Sequence, residues 1–167
     1  MRKLVVTALL VAVMSGAALA AVAPPQGAPS GVHRPLTTAA PLATRGLVDV
    51  IKGATLDGYR SMKVGEAFDR YSHFKMKDWR EARGAAGTIY VDFYGSAPTG
   101  LLDVKGRMAG ISSKGLVVKF VIYPNGEYGV VMVTKTVVMK DGKSGASPVS
   151  DIKSVLDAIY ANKKLDL

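Results

Sequence analysis

The sequence contains no cysteine, only two histidines and a single tryptophan. Without cysteine the chain can form neither a disulfide nor a thiolate metal site, so its fold has to rest on an apolar core. The two histidines, His33 and His73, lie far apart and have no ligand motif around them. We therefore expect no metal and no other cofactor.

The chain also lacks the motifs of common catalytic sites. Residues 142–144 (GKS) end like a phosphate-binding loop, but Val137 stands where that loop needs a glycine. Asp69, Asp92 and Asp103 could supply the two carboxylates of a glycoside hydrolase, yet their spacing fits solvated acids equally well. We expect no enzymatic activity, with a small cell-wall or polysaccharide hydrolase as the alternative.

The first twenty residues have the three parts of a secretory signal peptide. Arg2 and Lys3 are basic, residues 4–13 form an apolar run, and residues 18–20 read Ala-Leu-Ala. The apolar run is too short to span a bilayer, and no cysteine is present for lipoprotein acylation. We expect residues 1–20 to be removed and the remainder to be periplasmic, or secreted if the host has no outer membrane, with no transmembrane segment left.

Positive charge dominates the composition. The chain has 22 Lys and Arg against 13 Asp and Glu, a formal net charge of +9, which removal of the first twenty residues would reduce to about +7. Such a charge favours acidic partners, and an anionic polymer of the cell envelope is the candidate. Nucleic acid is not an expected partner, because export would separate the chain from it.

The periodicity of apolar residues predicts one α+β domain over residues 46–167, preceded by an Ala- and Pro-rich flexible leader over residues 21–45. Helical spacing in MKVGEAFDRY and in PVSDIKSVLDAIYANKK predicts an N-terminal and a C-terminal helix. An antiparallel β-meander of about four strands is predicted under those helices. Its strands come from FKMKDWREAR, from TIYVDFYG and from a long hairpin. LVDVIKGATL fits a strand or a short helix, and residues 98–114 are ambiguous.

The hairpin covers residues 116–140, with Asn125 and Gly126 at its centre. An Asn-Gly pair favours a two-residue type I′ turn, because both central residues of that turn need a positive φ. Such a turn would place Tyr123 opposite Tyr128, Val121 opposite Val130, Phe120 opposite Val131 and Val118 opposite Val133.

That register predicts a hairpin with apolar side chains on both faces. A sheet with one solvated face alternates apolar and polar residues instead, so the second face is either covered within the monomer or is a contact surface. The contact would be with an envelope protein or with a second copy of the chain. The candidate binding residues, here called the predicted patch, are Val121, Tyr123, Tyr128, Val130 and Met132.

The succession of VGEAFDRY, KDWREAR and TIYVDFYG resembles small exported bacterial envelope domains of unassigned function. It is also similar to the outer-membrane assembly lipoprotein domain related to β-lactamase-inhibitor proteins. The resemblance covers about residues 47–135, and Lys63 stands where a capping threonine would be expected. It implies a non-enzymatic envelope protein that binds a protein or polyanionic component, and it transfers no catalytic residue.

Overall fold

The computed structural model describes Arg34–Pro35 and residues 46–167. The predicted signal peptide and most of the predicted leader lie outside the described residues. The strands are Arg34–Pro35 (β1), Met76–Arg83 (β2), Ile89–Pro98 (β3), Ile111–Ile122 (β4), Glu127–Met139 (β5) and Ser144–Pro148 (β6). The helices are Leu47–Gly53 (α1), Val64–Arg70 (α2), Val104–Met108 (α3) and Ile152–Tyr160 (α4), with a 3₁₀ turn at Ala85–Gly87.

Four strands form an antiparallel meander in the order β2-β3-β4-β5. Two short strands, β1 and β6, pair with different parts of β5 and extend the sheet beyond the predicted four strands. Together with the helices, this sheet confirms the predicted α+β class. In β1, Arg34 and Pro35 belong to the predicted flexible leader, and they pair with Tyr128 and Glu127 of β5.

The main core lies between one face of the sheet and the helices α1, α2 and α4. Both predicted helices are present, and the first seven residues of the ambiguous LVDVIKGATL segment form α1. Gly65 of α2 is needed where the first two helices meet, since a Cβ there would lie 2.7 Å from the Cβ of Lys52. Aromatic rings at the centre of the core pack edge to face, as in the pairs of Phe68 with Phe93 and Phe120.

The hairpin turn differs from the predicted two-residue type I′ turn. The Gly126 N–H donates to the Tyr123 carbonyl at 2.9 Å, and the Tyr123 N–H donates to the Glu127 carbonyl at 2.8 Å. These bonds enclose a three-residue loop in which only Gly126 has a positive φ, of 84°. Pro124 explains the difference, because it cannot donate the bond that closes a two-residue loop and it favours the second position of a type I turn.

The longer loop changes the strand register next to the turn. Phe120 pairs with Val130 instead of Val131, and Tyr128 lies opposite Ile122 instead of Tyr123. A β-bulge then inserts Val131 as an extra residue of β5. Beyond the bulge the predicted register is correct, with Val118 opposite Val133.

Candidate functional site

The corrected register divides the predicted patch between two environments. Tyr128 and Val130 lie in the core, where they are 3% and 2% exposed, because they share a face with the buried Phe120 and Ile122. The prediction that all five residues share one surface is therefore wrong. Val121, Tyr123 and Met132 do lie on the opposite side, but Val121 is only 1% exposed.

The side of the sheet that faces away from α1, α2 and α4 is called the outer face here. Alternation along each strand and pairing between strands assign its residues. One row crosses four strands, with Arg80, Asp92, Lys119 and Met132 as successive neighbours. The outer face of β2–β5 includes Asp78, Arg80, Tyr90, Asp92, Tyr94, Val117, Lys119, Val121, Met132 and Thr134, and Tyr123 continues it directly after β4.

An ion pair lies at the centre of the outer face. The Lys119 Nζ is 2.8 Å from both carboxylate oxygens of Asp92. The two side chains are 26% and 13% exposed, and the ammonium also lies 5.2 Å from the ring centre of Tyr90. Tyr94 donates its hydroxyl to the same carboxylate at 3.4 Å. Charge, hydrogen bonds and ring contacts therefore hold the centre of the face in one arrangement.

A second cation lies at the β2 end of this row. The Arg80 Nε donates to an Asp78 carboxylate oxygen at 2.7 Å, and the guanidinium lies 4.9 Å from the ring centre of Tyr94. The hydrogen bond from Arg80 lowers the pKa of Asp78 below its usual value. Both members of this pair are largely exposed, which leaves one face of the guanidinium accessible to a partner.

The three carboxylates considered for hydrolysis are each paired with a different lysine. Asp69 contacts Lys52 at 2.6 Å and accepts from the Trp79 indole on the helix side of the sheet. Asp92 is held by Lys119 on the outer face, and Asp103 lies 2.8 Å from Lys114 at the start of β4. The fold thus does not bring these acids together as a facing pair.

His73 and its surroundings form a separate region of the surface. Its Nε2 lies 3.2 Å from the carbonyl of Asn162, and a concavity of about 470 Å³ lies beside it. That concavity includes the engaged pair of Asp103 and Lys114. Within the described chain, no three His, Asp or Glu side chains are arranged so that they could hold a metal ion.

Sequence reasoning missed the residues that organise the outer face. The alternation of β3 places Tyr90, Asp92 and Tyr94 on one side, and that signal is visible in TIYVDFYG. The partner of Asp92 was not visible, because its pairing with Lys119 depends on the register between β3 and β4. The site is therefore a product of strand pairing more than of any local motif.

Compared with known proteins, the chain matches no family model, no curated protein and no solved structure. Within the part of the chain that the structure describes, no helix has the length and apolar character needed to cross a bilayer.

Proposed function

We propose that this protein is an exported, non-enzymatic envelope protein that binds another envelope component through its outer face. The observation that carries the proposal is the ordered array of Tyr90, Lys119, Asp92 and Tyr94 on a sheet face away from the helices. A prearranged surface binds with little loss of side-chain entropy, and tyrosine contributes large contact areas.

The charge balance of the outer face favours a protein partner over a polyanion. Lys119 is already neutralised by Asp92, and Arg80 is engaged by Asp78, so little uncompensated positive charge remains in this row. Arg80 and Met132 are exposed and the tyrosines of the face are half-buried, and all three are residue types enriched in protein interfaces. Met132, 41% exposed, supplies the apolar contact next to Lys119.

Site-specific photo-crosslinking in the native host tests the proposed binding face. A photoreactive residue at position 132 is expected to form one discrete adduct with an envelope protein, and Arg80→Glu should reduce the yield. The matched control places the same residue at position 153, since Lys153 is exposed on α4 on the helix side. An adduct that forms from position 153 but not from position 132 would contradict the proposal.

Export is tested separately by N-terminal sequencing of the protein from its host. The expected first residue is Ala21, which directly follows the Ala-Leu-Ala site. An intact Met1 on the cytosolic protein would contradict both export and an envelope partner.

A further inference from the structure

Exposed apolar side chains are concentrated between β3 and β4. Leu101, Leu102, Val104 and Met108 are 83%, 97%, 59% and 84% exposed. These four are the majority of the seven large apolar side chains that are exposed among the described residues. Single exposed apolar residues are ordinary on protein surfaces, whereas such a concentration in eight residues marks an interaction site.

The segment that carries these side chains is held by contacts within itself and by an ion pair to the sheet. The Asp103 carboxylate caps α3 by accepting from the Gly106 N–H at 2.9 Å, and it also contacts Lys114 of β4. The Arg107 guanidinium donates to the Leu101 carbonyl at 3.3 Å. The side chains are thus presented on a preformed protrusion, so an insertion into a partner would need little reordering.

Cations surround the apolar side chains. Lys105, Arg107 and Lys140 are exposed, and the last two line a shallow depression together with Val104 and Met108. The only acid within residues 101–108, Asp103, is already engaged by Lys114. Residues 101–108 therefore combine apolar and positively charged groups with no uncompensated negative charge of their own, and Asp166 lies on the other side, in the concavity that Leu102 also lines.

We infer that this protrusion, here called the tip (residues 101–108 with Lys140), docks on an anionic lipid surface. Leu101, Leu102 and Met108 enter the boundary between headgroups and acyl chains, and the neighbouring cations meet lipid phosphates. A lipid surface fits better than a protein groove because the leucines are 83% and 97% exposed, and a bilayer adapts to a convex shape without a matching cleft.

This inference is independent of the partner proposed for the outer face. The tip precedes β4, a strand of twelve residues, and the hairpin loop follows it at the other end. A strand of that length spans about 40 Å, so the tip and the loop lie at opposite ends of the sheet. Docking through the tip leaves the outer face accessible to a protein.

A fluorophore at a single introduced cysteine tests the insertion, since the chain has no other cysteine to label. The protein is used as the full chain, or as the shorter form if the host removes residues 1–20. With Leu102→Cys carrying a polarity-sensitive dye, vesicles of equal parts phosphatidylglycerol and phosphatidylcholine should raise and blue-shift the emission. The dye on Met132→Cys, on the outer face, should not respond.

Neutralising the cations tests the electrostatic contribution to the binding of the tip to anionic lipid. Lys105→Gln with Arg107→Gln should raise the lipid concentration at half-maximal response about 25-fold, since each cation near an anionic surface contributes about fivefold. The matched control is Lys63→Gln with Arg83→Gln, which changes the net charge equally at exposed positions before α2 and at the end of β2, and it should have little effect.

Three outcomes would overturn the inference. The dye at position 102 could fail to respond to anionic vesicles, or it could respond equally to phosphatidylcholine alone. It could also respond to increasing protein concentration without lipid, which would identify the tip as a contact between copies of the chain. Circular dichroism on every variant ensures that the compared proteins are folded.

Discussion

The two faces of the sheet are built by the same strands but are stabilised by different interactions. On the helix side, Phe93 and Phe120 pack against Phe68 of α2, with ring centres 4.9 and 5.6 Å apart. On the outer face, Asp92 of β3 and Lys119 of β4 form an ion pair between neighbouring strands. The helix side thus depends on a second layer, whereas contacts between neighbouring strands order the centre of the outer face.

A charge introduced on each face in turn should give the largest difference in stability between the two faces. Val130→Lys introduces an amine next to Phe120 in the core, and an unpaired buried charge of this kind should cost roughly 4 kcal/mol or more and unfold much of the protein. Met132→Lys, on the outer face two residues away, should change stability by less than about 0.5 kcal/mol. Urea denaturation followed by circular dichroism measures both, and equal losses would contradict the division between the faces.

A cavity under the helices should have the next largest effect. Leu156 of α4 is 2% exposed and belongs to the core cluster. Leu156→Ala should lower the free energy of unfolding by about 2–5 kcal/mol, as a large-to-small change in a packed core does. Lys153→Ala on the exposed side of the same helix is the control, and a loss below about 1 kcal/mol for Leu156→Ala would show that α4 is peripheral.

Breaking the ion pair tests how the outer face is ordered. Lys119→Met leaves the largely buried Asp92 carboxylate without its main partner and should cost about 1–3 kcal/mol. Adding Asp92→Asn should recover part of that loss, because the uncompensated charge is then absent. A double-mutant cycle from urea melts measures the coupling, and additive effects of the two substitutions would contradict a coupled pair.

The smallest expected effects come from exposed carboxylates at the rims of the two faces. The bond from Arg80 lowers the pKa of Asp78, and the bonds from Lys153 and from the Tyr59 hydroxyl lower the pKa of Asp157. A depressed carboxyl pKa stabilises the fold above the unfolded-state value of about 3.9, and this contribution is lost as the pH falls through the folded-state pKa.

Asp78→Asn and Asp157→Asn should therefore each weaken the loss of stability in acid. Neither should change the pH dependence between about pH 6 and pH 8, because both carboxyl groups are ionised there in the folded and in the unfolded state. Urea melts from about pH 3 to about pH 8 measure the effect. A steeper acid dependence in either variant would contradict the direction of the shift.

The helices and the meander could be predicted from the sequence because their signals are local. Helical spacing in VGEAFDRY and alternation in TIYVDFYG each lie within one element, and both elements form as expected. The candidate site was predictable only in part. Tyr123 and Met132 lie on the outer face as predicted, whereas Tyr128 and Val130 are in the core.

By itself, the sequence determined the α+β class, the order of the central strands and the presence of both main helices, since periodicity and turn residues act over a few positions. Only the tertiary structure decided which hairpin residues face outward. Pro124 lengthens the loop by one residue, and the bulge at Val131 restores the predicted register beyond it. Between the loop and the bulge, the face on which each side chain of β5 lies therefore depends on both irregularities. Only the pairing of β3 with β4 decided that Asp92 meets Lys119, because that contact joins residues far apart in the chain.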